Sequence, residues 1–231
     1  MSARAWPIAT LAFGVITLCV FVGFNFLPAV AAAYEPGRLA GALSLFQRAE
    51  TAGDLVRVFG LPPNQAALGA MHAVNTLDLW GFIPAYAIFL CAGAMMLAGG
   101  ARSMLALLAI VFALAGAAFD VVETAAQLRI TADYDQAPAQ LPIAPWHWLK
   151  YGALAANAWV MAAVCLLGAQ KRWVLGVLCA LPLPAVLLAW LELTPTRLFS
   201  ITFALAWIAL LVVAFRALLA AKGATAPGQT A

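Results

Sequence analysis

Charged residues are scarce in this sequence: Asp, Glu, Lys and Arg make up 9% of its 231 residues. Soluble domains usually carry about a quarter. Hydrophobic residues account for 66% of the chain, and no water-soluble fold of this length could bury so much apolar surface. The composition therefore predicts an integral membrane protein, built as one helical domain over residues 1–231 with no separate soluble part.

Basic runs and paired cysteines are also missing. The longest basic run is Lys171-Arg172 and the net charge is +3, so the chain offers no patch for a phosphate backbone and a nucleic-acid partner is excluded. The four cysteines all fall inside apolar stretches and none forms a C-x-x-C pair. This pattern favours buried, inert thiols over a disulfide framework or a zinc site.

Signatures of several enzyme classes are absent from the sequence. It contains no H-E-x-x-H, no G-x-S-x-G, no P-loop and no dinucleotide-binding glycine pattern. Its two histidines, His72 and His147, are too far apart to indicate haem or a helix-borne zinc site. No spacing requires a metal, and the sequence does not specify a cofactor.

Six apolar stretches are long enough to cross a bilayer, since about 20 helical residues span about 30 Å of hydrocarbon. In lipid such a stretch can only be a helix, because no water is present to satisfy an open strand edge. The fold prediction is an all-α polytopic bundle of about six transmembrane helices. The predicted spans are residues 7–28, 79–98, 104–124, 149–168, 173–191 and 198–219.

Two of these stretches have unusual features. Arg4, the first apolar run and Ala31-Ala32-Ala33 together resemble a signal peptide with its cleavage site. The run is longer than the usual signal core of about 7–15 residues, so we expect an uncleaved first helix. The fifth stretch contains Pro182 and Pro184, which should kink it or interrupt its hydrogen bonding.

The longest connection, residues 31–76, has helical patterning of its own. Thr51 and Asp54 form a capping-box pattern that opens a short helix through Phe59, and Asn64 is suited to cap a further helix that runs into the second span. Residues 38–60 are predicted to form an amphipathic lid on the membrane surface, the alternative being a solvated connector. Apolar residues recur at helical spacing at Leu39, Ala42, Leu43, Phe46 and Ala49.

The distribution of positive charge predicts that both termini are cytoplasmic. In that orientation all nine acidic residues lie on the outer side, so the ionisable groups enter the bundle from its outer end only. The side assigned to the cytoplasm carries Arg4, Arg102, Lys171, Arg172, Arg216 and Lys222.

The most informative pattern is a pair of carboxylates in the third span. Asp120 and Glu123 are three residues apart and share one helix face. Carboxylates at this spacing repel unless a cation, a proton or a metal lies between them. We expect Lys150, which opens the fourth span, to pair with one of them. If the protein is an enzyme, these three residues are the catalytic candidates: a carboxylate as general base, and Lys150 to stabilise developing negative charge.

Four further residues are predicted to bind a ligand at this end of the bundle. Lys150 belongs to a stripe at helical spacing with His147 and Asn157. Asp78 and Tyr86, in the second span, would line a third side of the site. Structural alternatives remain open. Charged residues near a helix end can simply snorkel or brace two helices, and His147, between Trp146 and Trp148, can be an interfacial anchor.

Three short motifs resemble those of small multi-pass bacterial inner-membrane proteins of unknown function. They are Asp78-x3-Phe82-x3-Tyr86, the F-D-V-V-E-T of residues 119–124, and Lys150 at the start of a later span. In that group Asp-x-x-Glu is commonly followed by Asn, where this chain has Thr124. The resemblance covers residues 42–157 and implies the six-helix plan and a bacterial inner-membrane location, but no reaction.

Three functions are compatible with these patterns. The first is an outer-leaflet polar site that binds or modifies a lipid or small amphiphile, with membrane lipids as its partners. The second is a transporter, for which the Pro182/Pro184 interruption is the one supporting feature. The third is a structural or assembly partner of another membrane protein. The sequence favours the first and does not specify the substrate or the oligomeric state.

Overall fold

The protein is described by a computed structural model covering residues 4–100, 103–168 and 171–223, with side chains to residue 220. Nearly all of these residues are helical, and none within the described ranges forms a strand. The predicted all-α fold is confirmed: this is an integral membrane protein with six helices long and apolar enough to cross a bilayer. Those helices are Ala5–Ala33, Gln65–Leu97, Met104–Ala132, Ala144–Leu167, Trp173–Trp190 and Thr196–Ala220.

Local helix breaks subdivide these spans. The second span, for instance, consists of two α-helices joined by a π-helical segment at Asp78–Phe82, and short 3₁₀ segments lie at Phe24–Phe26 and Tyr134–Gln140. The α-helices in chain order are α1 Ala5–Gly23, α2 Pro28–Ala33, α3 Leu39–Gln47, α4 Ala52–Phe59, α5 Gln65–Leu77, α6 Ile83–Leu97, α7 Met104–Ala132, α8 Ala144–Leu167, α9 Trp173–Ala180, α10 Pro182–Trp190 and α11 Thr196–Gly223.

Two helices extend well beyond their apolar runs. The second span begins at Gln65 rather than at residue 79, and the third ends at Ala132 rather than at residue 124. Asn64 caps α5, its Oδ1 accepting hydrogen bonds from the backbone amides of Ala66 and Ala67 at 2.9 and 3.1 Å. A helix can extend beyond its apolar run as long as one of its faces is buried. A hydropathy pattern identifies only the part of the helix that is apolar on all sides.

The chain forms two compact units. Unit 1 comprises residues 1–15, 86–114 and 154–231, and unit 2 comprises residues 16–85 and 115–153. Two residues used for the orientation prediction, Arg102 and the side chain of Lys222, lie outside the described residues.

Unit 1 is a closely packed set of apolar helices. A Cβ added at Gly14 of α1 would come within 2.7 Å of Phe89 in α6 and closer still to Leu211 in α11, so a larger residue here would require these side chains to shift. The predicted interruption of the fifth span is confirmed, since α9 ends at Ala180 and α10 begins at Pro182. Pro cannot donate the backbone hydrogen bond that would continue α9.

Unit 2 contains residues 38–60, which we call the lid. Its two helices, α3 and α4, confirm the predicted helical patterning, and their apolar sides pack on protein. Phe46 and Phe59 are buried, with ring centroids 5.0 Å apart, and they share a core with Met71 of α5 and Ile130 of α7. The apolar side is thus largely covered by protein, and the position of the lid on a membrane surface stays a prediction.

The lid is also bonded to the start of α8. The backbone amide of Ile143 donates to the carbonyl of Ala49 at 2.8 Å. This contact fixes the middle of the lid, between α3 and α4, beside the first turn of α8, the turn that contains His147.

The lid contains a capping box whose strength depends on pH. Thr51 Oγ1 accepts from the Asp54 amide, and Asp54 Oδ2 accepts from the amides of Glu50 and Thr51 at 3.0 and 2.8 Å. The hydrogen bonds from Glu50, then those from Thr51, hold the pKa of Asp54 below its ordinary value. The stabilisation is therefore complete above the pKa of an unfolded Asp, about 3.9, and is lost as the pH falls through the lower folded-state pKa.

We expect amide exchange in α4, corrected for intrinsic rates, to accelerate as the pH falls below about 4, the pKa of an unfolded Asp, and through the lower folded-state pKa. Asp54→Asn should remove most of this acceleration, because it cannot lose a negative charge. The control is Glu35→Gln, since Glu35 is exposed and lies 3.9 Å from Arg38. Identical pH dependence in Asp54→Asn and wild type would show that the capping box does not control the stability of α4.

Candidate functional site

Five ionisable side chains from three spans come together in unit 2, and we call them the charged cluster. Asp78 begins the π-helical segment, Asp120 and Glu123 lie on α7, and His147 and Lys150 lie on the first two turns of α8. All but Asp78 are almost completely buried. All five are among the residues predicted for the site.

Lys150 is the centre of the charged cluster. Its Nζ lies 2.9 Å from Asp120 Oδ1 and 2.7 Å from Glu123 Oε2. The three-residue spacing on α7 puts both carboxylates on one face, so a single ammonium on α8 reaches both. The predicted pairing of Lys150 is confirmed, and it involves both carboxylates rather than one. Such a buried arrangement requires counter-charge for every ion it contains.

His147 belongs to the charged cluster as well. Its Nδ1 lies 3.6 Å from Glu123 Oε1, and its ring packs edge-on against Tyr151 and Trp148, with centroids 4.8 and 5.1 Å away. The ring is 2% exposed. The alternative interpretation of His147 as an interfacial anchor is therefore wrong, because the side chain faces the protein interior.

Thr124 and Gln127 complete the polar contacts of α7. Thr124 Oγ1 donates to Asp78 Oδ2 at 3.0 Å, and Gln127 Nε2 donates to Glu123 Oε1 at 3.3 Å. Sequence reasoning did not assign Thr124 to the site. Its signal was available, since Thr124 is four residues after Asp120 and so lies on the same helix face.

Asp78 differs from the two other carboxylates in exposure and in backbone. It is partly exposed, whereas Asp120 and Glu123 are 4% and 0% exposed. It also opens the π-helical segment, a rare conformation that is frequent at functional sites because it displaces a side chain from the regular helical stripe. The hydropathy pattern contained no signal for this segment.

Tyr86 and Asn157, the two other predicted ligand-binding residues, belong to unit 1. The Tyr86 ring packs against Trp207 with centroids 5.8 Å apart. Asn157 Nδ2 donates to the Ala109 carbonyl at 2.8 Å, which joins α8 to α7 within this unit. These contacts give Asn157 a structural role, and ligand binding by either residue stays a prediction.

A shallow groove of about 500 Å³ lies elsewhere in unit 2, between α5 and the end of α7, and is lined by His72 and Thr131. His72 Nδ1 is 3.0 Å from Thr131 Oγ1. Within the described ranges, no group of three or more His, Cys, Asp or Glu residues is arranged to hold a metal ion.

Comparisons with protein-family models, curated proteins and solved structures return no match for this chain. The class of protein is therefore defined by the fold and the site alone: an integral membrane protein of six apolar helices, with a charged cluster buried beside a helical lid. The resemblance to small bacterial inner-membrane proteins stays a prediction.

Proposed function

We propose that the protein binds a lipid or small amphiphile, with the polar head of the ligand at the charged cluster and its chain along the apolar helices. One observation carries the proposal. Lys150 already contacts Asp120 and Glu123, so the partly exposed Asp78 is a third carboxyl beyond what a simple brace between two helices requires.

Distances along the helices support a position at headgroup depth. Asp78, Glu123 and Lys150 each stand 17 to 19 residues from the opposite end of their own helical span. At 1.5 Å per residue this is about 26–29 Å, close to the thickness of about 30 Å of the hydrocarbon core. This length supports a position of the three charged groups at one boundary of that core, where an amphiphile has its head.

The orientation predicted from the positive residues makes this boundary the outer one. We accordingly propose a location in a bacterial inner membrane with both termini cytoplasmic and the lid on the outer side. The lid contacts α5, the end of α7 and the start of α8, and so it is suited to cover the head of a bound ligand.

Binding is supported better than catalysis by these contacts. A general base needs a free lone pair aimed at the substrate, and both carboxylates on α7 are directed at the Lys150 ammonium. Catalytic roles for Asp120, Glu123 and Lys150 stay predictions. Their supported role is to hold fixed charge beside the ligand.

The test is the thermal stability of the purified protein in detergent against a panel of lipids and single-chain amphiphiles. A ligand at 100-fold above its Kd should stabilise wild type by about 2.7 kcal/mol, or roughly 5–10 °C for a chain of this size. Asp120→Asn and Glu123→Gln should lose this shift while remaining folded. The matched control is Asp133→Asn, an exposed acid just after α7, which should keep it. If no compound stabilises wild type, the charged cluster is an interhelical brace and the proposal is wrong.

A further inference from the structure

We propose that the head of the ligand is a protonated amine with an oxygen two carbons away, and that Asp78 accepts the ammonium while Asn75 donates to the oxygen. The inference rests on the proposed function, because it names the ligand class of the same site. It is argued from charge, exposure, hydrogen bonding and helix geometry in turn.

Charge is the first observation. The charged cluster contains three carboxyl groups but one lysine, and Lys150 is bonded to Asp120 and Glu123. His147 faces Glu123, and Arg48 of the lid donates through Nε to the Ser44 carbonyl. Among the described residues no cation lies within ion-pair distance of Asp78, whose bonded partner is the Thr124 hydroxyl. A positively charged ligand group would complete the cluster.

Exposure is the second observation. Of the three acidic residues, Asp78 is the one that is partly exposed, whereas Asp120 and Glu123 are buried. The π-helical segment starts at Asp78, and its next residues, from Leu79 to Phe82, are all at least partly exposed. A ligand therefore meets Asp78 before it meets any other charged group of the cluster.

An unsatisfied donor is the third observation. Asn75, one turn before Asp78 on α5, is 1% exposed, and its Nδ2 has no hydrogen-bond acceptor among the described residues. Buried amide donors are nearly always paired, because an unpaired one costs about 1–3 kcal/mol. An oxygen of the ligand would satisfy it. The unpaired amide of Asn75 is an observation separate from the excess of carboxyl groups in the charged cluster.

The spacing of the two residues restricts the ligand further. Side chains three apart on a helix have Cβ atoms about 5–6 Å apart, so an ammonium and an oxygen separated by two carbons can meet both. Two kinds of membrane amphiphile carry this unit: phospholipids with an ethanolamine head, and long-chain amino alcohols. A quaternary ammonium lacks the N–H that a carboxylate accepts, so choline lipids should bind more weakly.

The test compares matched heads on the full-length protein in detergent, with affinity measured by thermal shift and by titration calorimetry. The probes are phosphatidylethanolamine, its N-acetylated derivative and phosphatidylcholine, together with a C12 2-amino-1-alcohol and its N-acetyl amide. We expect the free amines to bind at least 10-fold more tightly than their N-acetyl partners. The amine that binds more tightly then shows whether the ligand is a phospholipid with an ethanolamine head or a long-chain amino alcohol. These wild-type comparisons do not depend on any variant folding.

Variants assign the two contacts. Asp78→Asn should lose the amine preference, and Asp78→Glu, which keeps the charge, should retain part of it. Asn75→Leu should weaken binding of the amino alcohol more than that of the corresponding alkylamine, which lacks the oxygen. Asp133→Asn, exposed and outside both the lid and the charged cluster, is the control with unchanged affinities.

Two results would overturn the inference in distinguishable ways. If an anionic or neutral amphiphile binds as tightly as the amines, and Asp120→Asn abolishes that binding, the proposed function stands and the ligand class is wrong. If no amphiphile binds wild type, both the inference and the proposed function are wrong.

Discussion

Lys150→Met is expected to destabilise the protein by about 3–5 kcal/mol, the usual cost of removing one partner of a buried ion pair. Lys150 supplies the ammonium that both Asp120 and Glu123 contact, and all three side chains are at most 6% exposed. Without it, two carboxylates three residues apart on α7 face each other in an apolar interior. They must then repel or take up protons.

The loss should be measured as the fall in unfolding free energy in mixed detergent, with the onset temperature of aggregation as a second readout. The triple variant D120N/E123Q/K150M should recover much of the stability, because neutral amides leave no uncompensated charge. Lys171→Met is the matched control, since Lys171 is exposed just before α9. A Lys150→Met variant as stable as wild type would show that the ammonium is not needed to balance the two carboxylates.

Phe59→Ala is expected to cost a further large amount, about 3–5 kcal/mol, the range for truncating a buried Phe in a core. Phe59 is 2% exposed and makes edge-on contacts with Phe46 and Tyr134, with ring centroids 5.0 and 5.7 Å away. It therefore joins the lid to the segment that follows α7. The lid has few other large buried side chains, so we expect the loss to open the lid locally.

Limited proteolysis of the purified protein measures this effect. Cleavage within residues 38–60 should become much faster in Phe59→Ala, while the helical circular dichroism of the spans changes little. Leu61→Ala is the control, because Leu61 is two residues away and 81% exposed. Equal cleavage rates in Phe59→Ala and wild type would mean that the lid is held by contacts other than its aromatic core.

Much of the fold could be predicted because it depends on properties that run along a single helix. Apolar runs of about 20 residues identify spans in any bilayer, and the structure has a helix at each of the six. The capping box at Thr51 and the cap at Asn64 were predictable for the same reason, since caps depend on residues two or three positions away. The pairing of Lys150 followed from two acids on one helix face.

Other features could not be predicted, because they depend on how helices pack. The third span continues past its apolar run to Ala132, where protein rather than lipid covers one face. His147 was compatible with an interfacial anchor until the rotation of α8 was known, and that rotation places its ring against Tyr151 and beside Glu123.

The sequence by itself determined that this protein lies in a membrane, where its six spans are, and which helix face carries Asp120 and Glu123. These features depend on composition and on periodicity along one helix. Only the tertiary structure decided which polar groups meet. It joins Asp78 to Thr124, brings Lys150 into contact with both carboxylates rather than one, and uses Asn157 to hold α8 against the Ala109 carbonyl. The physical reason is that the spacing of residues defines a face of a helix, but the packing of neighbouring helices defines what that face contacts.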